Sequence, residues 1–310
     1  MHLLIPFAST LSEGCVHTVR DLQLPNLSRL MARLSPSLRH GSDEHSLTPP
    51  HERALAEALG LRGDDGCLPW AAREAAADGI DPGGAAWGLM TPVHWHVAAD
   101  HIRLVDPLEL ALDEPTSRAL LQAVRGLFES EGWRIAWGAP LRWYASHASL
   151  GQLPTASIDR VIGRGVDAWM PADLRLATLR RLQSEVQMLL YAEPANDARA
   201  ARGALPVNSF WLSGCGMRQR DGEGPRPQVD ESLRGPALHE DWAAWAEAWR
   251  ALDGGPLDAL RRRAEGGQPA QLTLCGERVA QRFELVPQPL WARLTRGLRS
   301  PAVAPVLEAL

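Results

Sequence analysis

Two histidines within Thr91–Val97, His94 and His96, stand at i and i+2. On a strand that spacing puts both imidazoles on one face, which suits a pair of metal ligands. No acidic third ligand lies at a fixed distance along the chain, so the more economical reading is the polar face of a hairpin. A second group begins in the run SEVQMLL, where Glu185 follows Leu182 by one helical step and borders an apolar face. A carboxylate there needs a partner, and Arg199 or Arg202 is expected to supply a bidentate one. Gln187 lies beside Glu185 in the same run, and Asn196 and Asn208 are expected to complete the network by hydrogen bonding to backbone. A structural ion pair explains it more simply than catalysis does. The third group is Ser213, Gly214, Cys215 and Gly216, where an apolar strand at about 207–212 runs into small residues. Ligands gather at the carboxyl ends of strands in α/β sheets. Gly214 and Gly216 tolerate positive φ, so exposed amides there would form an anion nest. Cys215 would be a nucleophile only if its neighbours lowered its pKa, and no Cys-x5-Arg phosphate loop surrounds it.

Composition narrows the chemistry. All 32 basic residues of the 310-residue chain are arginines. Without lysine there is no Schiff base and no Walker phosphate loop of the usual kind. An anionic ligand must be held by arginine, backbone amides or a metal. The formal charge of −5 argues against nucleic acid and anionic membranes as partners. Cys15, Cys67, Cys215 and Cys275 form no CxxC pair, which argues against structural zinc and for a reducing, cytoplasmic setting. The N-terminal stretch lacks the basic region of a signal peptide. No run reaches the roughly 18 apolar residues of a membrane span.

The elements that must position these groups alternate. HLLIPF reads as a buried first strand. Leu27, Leu30, Met31 and Leu34 mark one helix stripe, with Pro25 in its first turn. Arg39–Pro50 reads as a polar loop, and HERALAEALGL as a second helix. Trp87–Val97 and His101–Val105 read as strands joined by an Ala-Ala-Asp turn, with Pro92 arguing for an edge or bulge. A helix follows, capped by Asp113 or Thr116 and stopped by Gly132. WRIAWGAP and LRWYASH form a strand pair. Residues 171–192 form the longest helix, buried through Leu179, Leu182, Val186, Leu189 and Leu190. Trp242, Trp245 and Trp249 recur at helical spacing and are expected in a core. AQLTLCG is a strand, and PLWARLTRGL a closing helix. The fold class is therefore α/β: a mixed, mostly parallel central sheet flanked by helices, with β-hairpin additions. The expected organisation is one domain over 1–310, with a mobile loop at about 217–235 and a helical C-terminal part at about 236–310.

LPNLSRLMARL, TPVHWHVAADHIRL, LQSEVQMLLYAEPANDAR and LPVNSFWLSGCG, in that order, resemble the proteobacterial RpfE-type regulatory proteins. These are described as cofactor-independent phosphoglycerate mutase-like. The resemblance covers residues 1–216 and, more weakly, most of the remainder. Beyond it lies a similarity to the alkaline-phosphatase superfamily, which includes the archaeal-type phosphoglycerate mutases. There the first strand ends in a metal-binding Asp-Gly. Here it ends in Pro6-Phe7. PNLSRL keeps the following helix, and Gly41–Asp43 echoes the serine-bearing turn. Asp100 with His101, and His239 with Asp241, do not match the family's later ligand sets. The resemblance thus implies a phosphomutase-like fold with a degraded metal site. Two-metal phosphoryl transfer needs carboxylates and imidazoles converging on cations about 4 Å apart, and losing the first carboxylate leaves their charge uncompensated.

The resulting expectation is a binding or regulatory protein, with no catalytic or metal-ligating residue assigned and no cofactor. Its ligand-binding residues would be His94, His96, Glu185, Gln187, Asn196, Arg199, Asn208, Ser213, Gly214 and Gly216. Its partner would be a small anionic ligand or a protein. One alternative is an active phosphomutase or phosphatase using a divalent metal such as manganese or zinc. Another is an interaction module that docks through the tryptophan-rich helix.

Overall fold

A computed structural model describes residues 1–97, 101–170, 177–286 and 302–310. Its strands are β1 (His2–Ile5), β2 (Ser35–Gly41), β3 (Ala86–Val93), β4 (Trp95–Val97), β5 (Ile102–Leu104), β6 (Arg134–Ala139), β7 (Arg142–Ser146), β8 (Ser209–Met217), β9 (Gln228–Val229), β10 (Gln271–Cys275) and β11 (Val279–Glu284). The α/β class and the mixed sheet hold. Contacts group the chain into two compact units: Met1–Glu44 with Pro49–Gly60 and Gly222–Leu310, and His45–Thr48 with Leu61–Asp221.

The first unit carries a five-stranded sheet in the order β2-β11-β10-β1-β9. β1 runs parallel to β10 and β9, while β10–β11 and β11–β2 are antiparallel. β1 is four consecutive apolar or aromatic-ring residues, all buried, as a central strand covered on both faces must be. Leu3 and Ile5 pack with Leu27, Leu30, Trp245 and Trp249, and Leu4 faces Ala54, Cys275 and Ala280 on the other side. The tryptophan stripe on helix Trp242–Leu252 is core, as its spacing predicts: Trp245 and Trp249 are both 0% exposed. Their rings meet edge to face at 6.0 Å, the arrangement that aromatic quadrupoles favour. Trp245 and Trp249 thus face the core, while Trp242 stays half-buried. The helix Pro25–Met31 starts at Pro25 as expected and takes its N-terminal cap from a distant residue. The buried Asp253 carboxylate accepts the amide hydrogens of Asn26 at 3.1 Å and Leu27 at 2.8 Å.

Three strands of this unit, β2, β9 and β11, are unexpected. β2 overlaps the stretch expected as a loop; it is an edge strand whose side chains are largely exposed, so it shows no apolar alternation. β11 gives the nominally helical C-terminal part a second strand beside β10. The stretch 217–235 is likewise not featureless, since it holds β9 and the start of helix Arg234–Leu238. PLWARLTRGL lies outside the described residues.

The second unit is built on an antiparallel sheet in the order β6-β7-β3-β8. Helices Glu114–Ser130 and Ala177–Tyr191 cover one face through Leu120, Val124, Phe128, Leu182, Val186 and Leu190. Ala71, Ala72 and Ala75 of helix Trp70–Ala77 cover Trp87 and Tyr144 on the other. Asp113 caps Glu114–Ser130 by accepting from Thr116 N–H at 2.8 Å, and Gly132 ends it at φ 79°. Pro92 sits where β3 has only β8 beside it, because pairing with β7 stops at Met90. A missing amide hydrogen is harmless there. Leu189, expected in the buried stripe, is 45% exposed, and Gln183 takes a buried place instead. β4 and β5 form a separate two-stranded hairpin whose turn, 98–100, lies outside the described residues.

Candidate functional site

The segment Leu205–Asn208, which leads into β8, gathers four of the residues that the sequence nominates. Arg199, 1% exposed, donates from Nε to Leu205 O at 2.9 Å and from Nη2 to Leu110 O. His94 Nδ1–H donates to Pro206 O at 2.8 Å. Asn196 donates from Nδ2 to Val207 O at 2.7 Å and to Leu190 O at 2.8 Å, and its Oδ1 accepts from Val207 N–H at 2.9 Å. Asn208 exchanges two bonds with the Trp95 backbone, at 2.7 and 2.9 Å, in the manner of a strand neighbour. Gln183 adds Nε2 to Phe210 O at 3.2 Å. Buried carbonyls and amides outside a ladder must find partners, and here side chains supply them. The cluster is a latch that fixes β8 to the hairpin strand and to two helices.

The polar groups of Asn196, Asn208 and Arg199 are thereby occupied by backbone. The expected ion pair of Glu185 with Arg199 or Arg202 does not form. Glu185 instead pairs with Arg181 one helical turn away, at 2.9 Å, and Arg202 Nε donates to Ala198 O at 3.2 Å. The reason is direction: Arg199 points into the unit toward carbonyls, while Glu185 sits half-buried on its own helix. Burial beside the Arg202 charge lowers the Arg199 pKa from its ordinary value. Gln187 is half-buried on that same helix, away from the latch bonds.

His94 and His96 do come together, with ring centroids 6.4 Å apart. They do not share one strand, however. His94 lies in the break between β3 and β4, while His96 is exposed opposite Arg103. With Nδ1–H committed to Pro206 O, His94 keeps only Nε2 for a ligand.

The small-residue turn is not a turn at a strand end. β8 continues through Ser213, Gly214, Cys215 and Gly216 to Met217. Ser213 pairs with Leu89 and Gly216 with Trp87, so β8 spends one extra residue there, a β-bulge. Gly214 adopts φ 63°, and a Cβ on it would lie 2.9 Å from Trp70 Cβ and 3.1 Å from Ala71 N. Gly216 similarly abuts Pro69. The close neighbour of this backbone is the start of helix Trp70–Ala77, not a ligand. The sheet is antiparallel, so the rule about carboxyl ends of parallel strands has no purchase here. Cys215 is fully buried, and burial pushes its thiol up to about 12. It stays protonated at neutral pH and is no nucleophile.

The first unit is where β1 ends in parallel pairing. After Ile5 the chain passes Pro6 to Phe7, which takes φ 55°, a rare conformation for a bulky residue. Its carbonyl accepts from Trp245 Nε1 at 3.0 Å, and its ring meets His51 with centroids 5.2 Å apart. In the chain itself β1 is followed by Pro6-Phe7 and not by a carboxylate, while Asp230, just after the neighbouring parallel strand β9, donates its N–H to Leu4 O at 3.0 Å. Among the described residues, one group of three potential ligands has its atoms within 4.8 Å of one another: the consecutive Asp43, Glu44 and His45. Glu44 is already held bidentately by Arg278, both contacts at 2.9 Å. This run begins inside the Gly41–Asp43 echo and extends two residues beyond it; its signal in the sequence is three ligating side chain types in succession. Asp241 caps its helix through Ala244 N–H at 2.9 Å, and His239 Nδ1–H donates to Gly235 O at 2.8 Å. Asp100 lies outside the described residues.

No protein-family model matches this chain, and no curated protein does. Among solved structures, the chain is similar to a cofactor-independent phosphoglycerate mutase from Thermoplasma acidophilum DSM 1728. The identity is 14% over 100% of this chain and 99% of that one, with a TM-score of 0.38. It is also similar to the PH0037 protein from Pyrococcus horikoshii, at 11% identity over 92% and 87% of the two chains, with a TM-score of 0.45. Neither likeness assigns a role to any residue here.

Proposed function

We propose that this chain is a non-catalytic binding or regulatory protein: a phosphomutase-like α/β scaffold whose metal centre has degraded. The observation that carries this reading is the end of β1, where Pro6 and a left-handed Phe7, tied to Trp245, occupy the place of a first metal carboxylate. A dinuclear centre concentrates several positive charges and needs converging carboxylates to balance them. The latch supports the same reading from the second unit, since it directs Asn196, Arg199 and Asn208 to backbone groups. The resemblance to RpfE-type regulatory proteins implies the same role.

A second reading, an active metal-dependent phosphomutase or phosphatase, is favoured by one observation, the Asp43–Glu44–His45 run. Carboxylates and an imidazole are a hard, borderline donor set that suits manganese or zinc. Both readings meet one test. Purified full-length protein is incubated with manganese or zinc, desalted, assayed for retained metal, and tested for hydrolysis of a generic phosphate ester. The non-catalytic reading predicts no stoichiometric metal and no turnover above the metal-only blank. Retained metal with turnover lost in His45→Ala would establish the second.

A further inference from the structure

His94 stands in the break between β3 and β4, half-buried, and its ring is held in place. Pro206 O has no hydrogen to give, so at 2.8 Å the proton of that contact sits on His94 Nδ1. In the neutral ring this leaves the Nε2 lone pair bare. That is the tautomer of metal-binding histidines whose other nitrogen is oriented by a backbone carbonyl. Pro206 is itself fixed, because Leu205, Val207 and Asn208 around it are bonded to Arg199, Asn196 and the Trp95 backbone. The latch thus orients an imidazole as well as a strand. The second imidazole, His96, has its ring centroid 6.4 Å from that of His94, with the planes tilted by 40°. Metal–nitrogen bonds of about 2.0–2.1 Å and a ring radius of about 1.1 Å put the centroids of two imidazoles on one ion about 5 to 6.5 Å apart. The observed separation is at the upper end of that range, and rotation of the exposed His96 side chain shortens it.

We propose that His94 and His96 form a two-imidazole site for one borderline divalent ion of the nickel, copper or zinc class, with His94 as the fixed ligand and His96 as the one that closes on it. Donor chemistry sets the class: imidazole nitrogens suit these ions, whereas magnesium, calcium and manganese prefer oxygen. Charge is no obstacle. His96 and its cross-strand neighbour Arg103 are both exposed, so water screens the ion from the guanidinium. Water also fills the remaining coordination positions. Two protein ligands hold an ion more loosely than the four of a structural zinc site, so this ion exchanges and does not survive desalting. The site does not rest on the non-catalytic reading: phosphate-ester turnover lost in His45→Ala would defeat that reading and leave this site untouched, and an absence of nickel binding would do the reverse.

The test titrates the full chain with nickel(II) alone, by calorimetry and by thermal shift, in a buffer free of competing ligands. Wild type should bind one equivalent saturably and gain Tm as nickel rises above its Kd. His96→Ala removes an exposed side chain, so the fold stays intact. Binding in it should weaken by about tenfold or more, since losing even a ligand's outer partner costs that much. His94→Ala should weaken binding equally. It also strips Pro206 O of its donor, and where that variant fails to fold, His96→Ala carries the test. His45→Ala, in the separate Asp43–His45 run, should leave the nickel titration unchanged. Three results would overturn the site: folded wild-type protein with no saturable nickel binding, affinity unchanged in His96→Ala, or binding lost in His45→Ala instead.

Discussion

Replacing Asn196 with alanine removes three hydrogen bonds at 2.7, 2.8 and 2.9 Å from a side chain only 5% exposed. Leu190 O and Val207 O lose their donor, and Val207 N–H loses its acceptor. At a net contribution of about 1 kcal/mol each, the loss is about 3 kcal/mol. For a chain of this size, about 2 °C per kcal/mol puts the Tm down by about 6 °C. Urea melts followed by tryptophan fluorescence, with calorimetry for the Tm, read both quantities. Asn196→Asp is the sharper companion. It keeps an acceptor for Val207 N–H but sets a carboxylate oxygen against two carbonyls, so it should destabilise at least as much. A ligand-binding asparagine would behave differently, because its loss would weaken binding and leave the free protein's stability alone. An Asn196→Ala variant within about 0.5 kcal/mol of wild type, the range of an ordinary surface substitution, would refute the latch.

Two further outcomes follow from the geometry. Gly214→Ala forces a side chain into a left-handed position against Trp70 and Ala71, and should cost about 2–4 kcal/mol in urea denaturation; a neutral result would mean the bulge is not as drawn. His2 is buried with Nε2 against Thr273 Oγ1 at 2.8 Å, and burial lowers its pKa from 6.5 to about 4. Between those values the unfolded chain holds more protons than the folded one, so stability is fully present above pH 6.5 and falls as pH drops toward 4. Allowing for solvent near the chain's end, His2 should account for about 1–2 kcal/mol of the loss between about pH 7 and pH 5. His2→Gln should remove that share, and an unchanged acid slope in this variant would contradict it.

Much of the fold is legible in local pattern. The continuous apolar run of β1, the stripe Leu27, Leu30, Met31 and Leu34, the tryptophans of helix Trp242–Leu252, and the meaning of Pro92 all follow from periodicity or backbone chemistry. β2 escapes because its exposed edge side chains leave no period to read. The bulge at Gly214 escapes because two glycines in a row of small residues signal positive φ in either a turn or a strand. For the candidate site, residue types were the readable part and direction was not. Asn196 and Asn208 bond to backbone, as expected of them, while Arg199 turns to carbonyls and not to the Glu185 carboxylate, a direction that no residue spacing encodes. The buried place of Gln183 escapes the pattern because a lone amide on a helix has the same sequence signature as a surface residue.

The central claim, that a binding scaffold has replaced a phosphotransfer centre, comes down to metal stoichiometry coupled to turnover. Inductively coupled plasma analysis of the desalted, manganese- or zinc-treated protein, run beside a phosphate-ester assay, measures both at once. The account predicts metal well below one equivalent and hydrolysis no faster than the protein-free blank. One or two tightly held equivalents, with turnover that disappears in His45→Ala, would contradict it.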